Sequence, residues 1–308
     1  MEAHSTMMHD RPYAALFPGQ GAHALTMLAA VRSLPAFPER YALVCAALGV
    51  DVAQALEEQG EVFLNRNAVS SLLTVLVSSL AYDQWCAQHG PPQWLAGYSV
   101  GQWTALYAAG VVEFAPLVAL VAQRAALMDA CTARHPGGMV SVIGLAEGVV
   151  ATAVQQLQAE GYQVSISTYN CLGQYSLAVA ADALEPTLAR LRALGPRRLL
   201  VLPVAGPWHS PLLAGAEAGF AAYLEPLVQR LPQLPVVDNV TGDLLPLELA
   251  AFRQQLVRQI RAPVRWHQGM TTLIGLGCRT FVELGYGRVL TKFGFFIDRS
   301  VHHEAFCP

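Results

Sequence analysis

The chain has 308 residues, 54% of them hydrophobic and 13% charged, with a formal net charge of −3. That length supports a large buried core, and a charged fraction well under the usual share of about a quarter excludes an extended disordered chain. Its 19 basic residues, all arginine except Lys292, face 22 acidic ones, so no overall basic field exists to hold nucleic acid.

Six scattered cysteines (Cys45, Cys86, Cys131, Cys171, Cys278 and Cys307) form no C-x-x-C pair. They read as thiols of a reduced, cytoplasmic protein rather than a disulfide framework, and no metal site is expected. Met1 to Arg11 lacks the apolar segment of a signal peptide. Ala68 to Trp85 is strongly apolar, but Ser70, Ser71, Thr74, Ser78, Ser79 and Asp83 interrupt it. It reads as a buried helix, and no membrane association is expected.

In chain order, Tyr13 to Phe17 is a short apolar strand ended by the loop Pro18-Gly19-Gln20-Gly21. Helical text runs on to about residue 58, and a further helix covers about 68–88. Strand 94–97 and helix 101–109 flank the pentapeptide Gly97-Tyr98-Ser99-Val100-Gly101, and Phe114 to Cys131 is helical. From Gly137 the order becomes strand 139–143, helix 146–160, strands 162–169 and 174–180, helix 183–194 and strand 197–204. This β-α-β-β-α-β order is the ferredoxin-like pattern. It divides the chain into a small inserted subdomain, 135–205, and a large subdomain made of 1–134 and 206–308. A helix is expected from 210 to about 230, another over 247–260, and a last strand–turn–helix from Thr280. The fold class is α/β.

The pentapeptide has the G-x-S-x-G form of a nucleophile elbow. A serine there sits on a tight strand-to-helix turn with its hydroxyl exposed and the next backbone N–H beside it. The alternative is an ordinary glycine-lined turn. A serine hydroxyl needs a base, and histidine is the usual one. Of nine histidines, His4, His9, His302 and His303 lie near the termini and are expected in solvent, while His23, His89, His135 and His267 sit in loop or helix-edge text. His209 follows an apolar strand and a Gly-Pro turn and precedes Ser210-Pro211. It stands at an element boundary where active sites collect; the alternative is a solvated loop histidine. Arg124 lies among Val121, Leu127 and Met128 on an apolar helix. It either snorkels to the surface or holds an anion.

These segments together resemble the malonyl-CoA:acyl-carrier-protein transacylases and the related acyltransferases of polyketide assembly lines. The matching blocks occur in order: Leu16 to Gly21, Gly97 to Gln102, Gln123 to Met128, Gly138 to Leu145, Asn170 with Gln174, Trp208 to Ser210, Pro235 to Asn239, Pro263 to Trp266, and Glu283 to Leu290. The resemblance implies an α/β-hydrolase-like core with a parallel sheet. It makes Ser99 the acylated nucleophile and His209 its base, oriented by the backbone carbonyl of Gln259. The backbone N–H groups of Gln20 and Val100 would form the oxyanion hole. Arg124 would clamp the free carboxylate of a malonyl group as a planar fork. Tyr98, Trp208 and Asn170 would line the acyl site. No bound cofactor is implied; malonyl-CoA is the donor substrate and an acyl carrier protein the partner. Carrier proteins are acidic, so Arg190, Arg192, Arg197, Arg198, Arg288 and Lys292 are candidates for a docking patch.

The chain departs from the family pattern at four of these positions. Tyr98 replaces a histidine, Gln102 a glutamate and Tyr286 a proline. Trp208 stands where phenylalanine or serine is usual, and its larger ring is expected to narrow the space at the acyl α-carbon. For Tyr98 and Trp208 plain repacking is the other reading. Three readings compete with malonyl transfer: transfer of another acyl group between two carrier proteins, hydrolysis of acyl thioesters, and a non-catalytic carrier-docking module.

Overall fold

The computed structural model describes residues 12–308; His4, His9 and the rest of the Met1–Arg11 segment lie outside the described residues. The first part of the chain contains β1 (Ala14–Phe17), α1 (Phe37–Leu48), α2 (Val52–Leu64), α3 (Asn67–His89), β2 (Trp94–Gly97), α4 (Gly101–Ala108) and α5 (Phe114–Arg134). The middle part contains β3 (Gly137–Ile143), α6 (Glu147–Ala159), β4 (Val164–Cys171), β5 (Gln174–Ala180), α7 (Leu184–Ala193) and β6 (Arg198–Leu202). A short 3-10 helix, Pro211–Ala216, leads into α8 (Glu217–Leu224) and β7 (Val236–Val237). Then come α9 (Leu249–Arg258), α10 (Trp266–Gly275), β8 (Thr280–Leu284), α11 (Val289–Ile297) and β9 (His302–Phe306).

Two sheets organise these elements. One has five strands in the order β7-β2-β1-β8-β9, with every neighbouring pair parallel. β1 is buried at all four residues because helices cover both faces. Ala15 and Phe17 point into the main core with α3, and Ala14 and Leu16 into a second cluster with Phe281, Trp266 and Met270. The other sheet has four strands in the order β4-β5-β3-β6, all antiparallel, with α6 and α7 packed on it. Its strand order and connections are those of the ferredoxin-like pattern. The fold is α/β, with a parallel sheet and a separate antiparallel one.

The elements start and stop for local reasons. The expected long helical run up to residue 58 is divided: residues 24–34 form tight i→i+3 turns before α1 begins at a proline-marked N-terminus. α1 ends at Gly49, whose left-handed φ of 67° caps it, and Asp51 then caps α2 by accepting from Gln54 N–H at 3.1 Å. The helix after residue 210 stops at Leu224 rather than near 230: Glu225 keeps helical geometry, but Pro226 has no N–H to donate, and the N–H groups of Leu227 and Val228 both turn back onto Leu224 O. α10 and β9 have no counterpart in the expected elements. β9 pairs in parallel with β8, and this corrects one expectation: His303 is half-buried and stacks on Phe281 at 5.1 Å.

α3 lies in the main core, as expected of the apolar stretch it contains. α5 is the one described helix long and apolar enough to cross a membrane by length and composition, and half of its most apolar stretch is buried inside the protein. It packs on α1, α3 and α8.

Glu283 on β8 is fully buried. Its carboxylate accepts from the N–H of Leu290 at 3.1 Å and of Thr291 at 2.7 Å, tying the start of α11 to the central sheet. Glu283→Ala leaves the buried N–H of Leu290 and the part-buried N–H of Thr291 without partners, while the Thr291 hydroxyl keeps Glu304 O; an orphaned donor costs about 1–3 kcal/mol. We expect a loss of roughly 3 kcal/mol in urea unfolding; a change under about 1 kcal/mol would show that water replaces the carboxylate.

Candidate active site

The carboxyl ends of β1, β2 and β8 lie on one edge of the parallel sheet, with Phe17 level with Gly97. The elbow is built there. A Cβ on Gly97 would stand 2.1 Å from the backbone of Gly101, and one on Gly101 would stand 2.2 Å from the carbonyl oxygen of Phe17. Only glycine fits either place. Ser99 itself has φ 55°, and among the described residues one other non-glycine, His209, has a positive φ, also 55°. Such geometry costs about 1–3 kcal/mol and persists where surrounding bonds over-determine it.

Those bonds are present. Ser99 N–H donates to Asn239 Oδ1 at 2.9 Å, and its carbonyl accepts from Gln259 Nε2 at 2.7 Å. Asn239 Nδ2 donates to Gly97 O at 2.6 Å, and its own N–H donates to Gln102 Oε1 at 3.1 Å. Asn239 is buried and was not among the residues singled out from the sequence; the Pro235–Asn239 block was its only signal.

Ser99 Oγ lies 2.6 Å from His209 Nε2, and His209 Nδ1 lies 2.9 Å from the backbone oxygen of Gln259. A carbonyl can only accept, so Nδ1 carries the proton and Nε2 is left to accept from the serine hydroxyl. Burial, reinforced by the positive charge of Arg124, pulls the imidazole down from 6.5 to about 3. His209 is therefore neutral at pH 7.

The loop after β1 passes directly over the serine. A Cβ on Gly19 would stand 2.6 Å from Tyr98 O and 3.4 Å from Ser99 Cβ. The side chain of Gln20 reaches α3, where the two hydrogens of Nε2 are shared among Asn67 Oδ1, Ser70 Oγ and Ser71 Oγ, all at 2.8–3.0 Å. Among the described residues no acceptor is bonded to the backbone N–H of Gln20 or of Val100.

Arg124 does not snorkel. It is 2% exposed, its Nε donates to Gln259 Oε1 at 3.3 Å, and its Nη2 has no partner. Burial lowers it to about 10, so it stays charged at pH 7.

Tyr98 and Asn170 are brought together. The phenol donates to Asn170 Oδ1 at 2.6 Å, and the ring meets Trp266 and Phe293 at 5.6 and 6.0 Å. Burial pushes the phenol above its usual range, so it is neutral, and its one O–H is already engaged by Asn170. Trp208 is buried, and with Gln20, Asn67, Ser70 and Val204 it lines a narrow cleft; its carbonyl accepts from Ser167 Oγ at 2.7 Å. Gln102 is fully buried, and its Nε2 has no partner.

The six basic candidates fall on two stretches of the chain, residues 190–198 and 288–292. Arg190 is engaged by Glu160 at 2.6 Å and Gln156 at 2.9 Å. Arg192 is exposed in the last turn of α7, Arg197 and Arg198 are exposed at the start of β6, and Arg288 and Lys292 are exposed at the start of α11. Among the described residues no three histidine, cysteine or acidic side chains cluster as metal ligands would.

The chain belongs to the acyl transferase domain family, whose profile matches residues 16–294. It is 36% identical over 282 residues to a malonyl CoA-acyl carrier protein transacylase of Salmonella typhimurium, covering 91% of this chain and 90% of that one. Its fold is similar to that of a malonyl-transacylase solved in complex with its type II polyketide-synthase acyl carrier protein. That match has a TM-score of 0.89 at 32% identity and covers 96% of both chains. The malonyl-CoA:acyl carrier protein transacylase of Xanthomonas oryzae matches with the same TM-score of 0.89 and 32% identity, over 96% of this chain and 94% of that one.

The depressed value of His209 has two consequences. Between about pH 6.5 and 3 the unfolded chain binds a proton that the folded chain refuses, so stability present above pH 6.5 falls as pH drops through that window. If Ser99 is labelled by a fluorophosphonate with His209 as base, we expect the labelling rate to stay flat well below pH 6.5. Arg124→Met removes a nearby positive charge, so the acid limb of that profile moves to higher pH; an unmoved limb would show that Arg124 does not act on the imidazole.

Proposed function

We propose that this protein moves a malonyl group from CoA to the phosphopantetheine thiol of an acyl carrier protein, through a seryl ester, in fatty-acid or polyketide synthesis. The observation that carries this reading is the fully buried arginine, with one nitrogen unpaired, beside a bonded serine–histidine pair. A buried cation without an anion is costly, and a carboxylate on the acyl group completes it. The names of the relatives support the same donor and acceptor.

In this reading His209 Nε2 takes the Ser99 proton as Oγ attacks the thioester carbonyl. The oxyanion is received by the N–H groups of Gln20 and Val100. One such donor is typically worth about 3–4 kcal/mol of barrier. The C–S bond then breaks, and His209 returns its proton to the CoA sulfur. In the second half His209 takes the proton of the carrier thiol, whose sulfur attacks the seryl ester. The ester C–O bond breaks, the acyl group leaves on sulfur, and Ser99 regains its proton. The exposed Arg192, Arg197, Arg198, Arg288 and Lys292 support docking of an acidic carrier; Arg190 is held by Glu160. We assign the protein to the cytoplasm, a reading supported by its six free thiols.

Incubation with malonyl-CoA should leave one malonyl ester on Ser99 in intact-mass spectra, and Ser99→Ala should abolish it. Label persisting in the variant overturns the seryl-ester route. Arg124→Ala should slow malonyl loading by about 100-fold and acetyl loading far less; equal losses with both donors would remove the clamp.

A further inference from the structure

Gln259 is fully buried at the end of α9, where it contacts His209, Ser99 and Arg124. Its backbone oxygen accepts from His209 Nδ1 at 2.9 Å. Its Nε2 donates to Ser99 O at 2.7 Å and lies 3.3 Å from Asn239 Oδ1. Its Oε1 accepts from Arg124 Nε at 3.3 Å. One planar amide thus joins the guanidinium on one side to the carbonyl of the left-handed serine on the other.

We propose that the Gln259 side chain is a positioning residue that couples occupancy of Arg124 to the reactivity of Ser99, so that preference for a carboxylated acyl group is expressed in the acylation rate and not in binding alone. The proposal rests on the malonyl reading above.

The physical argument starts at the guanidinium. Its Nε bond to Gln259 is long at 3.3 Å and its Nη2 is unpaired, so Arg124 is held from one side. A carboxylate spanning the Nη edge fixes the plane of the fork. The Nε–H is then aimed at Gln259 Oε1, and the amide cannot rotate without losing both ends. Its Nε2 holds the Ser99 carbonyl, which belongs to the strained turn that directs Oγ. The base shares this mount, because its ring is held by the carbonyl of the same residue. An acetyl group has no carboxylate to fix the fork, and leaves the amide on its single long bond to Arg124. A displacement near 1 Å at a reacting centre can cost about 100-fold in rate.

The backbone carbonyl survives any substitution at 259, so the side chain can be tested apart from it. Gln259→Met keeps volume and removes both amide contacts. Gln259→Glu keeps an acceptor for Arg124, pairs with it as an ion, and loses the donor to Ser99 O. Single-turnover acylation of the full chain by malonyl-CoA and acetyl-CoA would be followed by quenched-flow intact mass, with Arg124→Met and the double variant in parallel.

We expect Gln259→Met to lower the maximal malonyl rate about 100-fold and the acetyl rate no more than about 10-fold, with the half-saturating malonyl-CoA concentration changed less than about 3-fold. Gln259→Glu should make acetyl the faster donor. Adding Arg124→Met to Gln259→Met should cost no further donor selectivity, because both act through one link. Equal slowing of both donors in the two single variants, or selectivity losses that multiply in the double variant, overturns the proposal. Wild-type protein that takes no malonyl ester at Ser99 overturns the malonyl reading and this proposal together; a normal wild-type ester with an unchanged donor ratio in the variants overturns this proposal alone.

Discussion

The site depends on keeping one backbone in a conformation it would not choose. Ser99 and His209 both have φ 55°, and neither is glycine. The serine turn is offset from both ends, by Asn239 on its N–H and Gln259 on its carbonyl. The bare positions at Gly97 and Gly101 let α4 start against β2 and β1 without displacing either strand. Each of these contacts constrains the turn that carries the hydroxyl to the imidazole.

The groups holding this turn are uncharged. Gln102, Asn239 and Gln259 are amides, all buried, and they exchange donors and acceptors with the backbone around the serine. A carboxylate among them would raise the imidazole and pair with Arg124. Amides satisfy the same hydrogen bonds while leaving the imidazole neutral and the cation unopposed. Among the three amides, the Nε2 of Gln102 is left without a partner, as is Nη2 of Arg124.

Much of this could be read from residues alone, and for physical reasons. The elbow was legible because its glycines are a steric necessity, and the small sheet because its strands and helices alternate within 70 or so residues at ordinary lengths. His209 stood out by its place at an element boundary. The roles given to Gln20 and Gln259 came only from family resemblance, since backbone groups carry no side-chain signal. Asn239 escaped notice because it meets Ser99 across 140 positions of sequence, in a run of apolar residues that reads as strand. α10 and β9 were missed for a related reason: β9 is half-buried at the edge of a parallel sheet and shows no alternation. His303 was misplaced with it.

The contacts between the two sheets have one more consequence. The phenol of Tyr98 bonds Asn170 on β4, Ser167 on the same strand bonds the carbonyl of Trp208, and Val264 exchanges backbone bonds with Ser167 and Tyr169. These bonds fasten the edge of the antiparallel sheet to the elbow, to the histidine turn and to the segment before α10. Hinging of one sheet on the other would break several buried hydrogen bonds at once. The spacing between Tyr98 beside the serine and Trp208 beside the histidine is thus set by bonds to one strand of the antiparallel sheet.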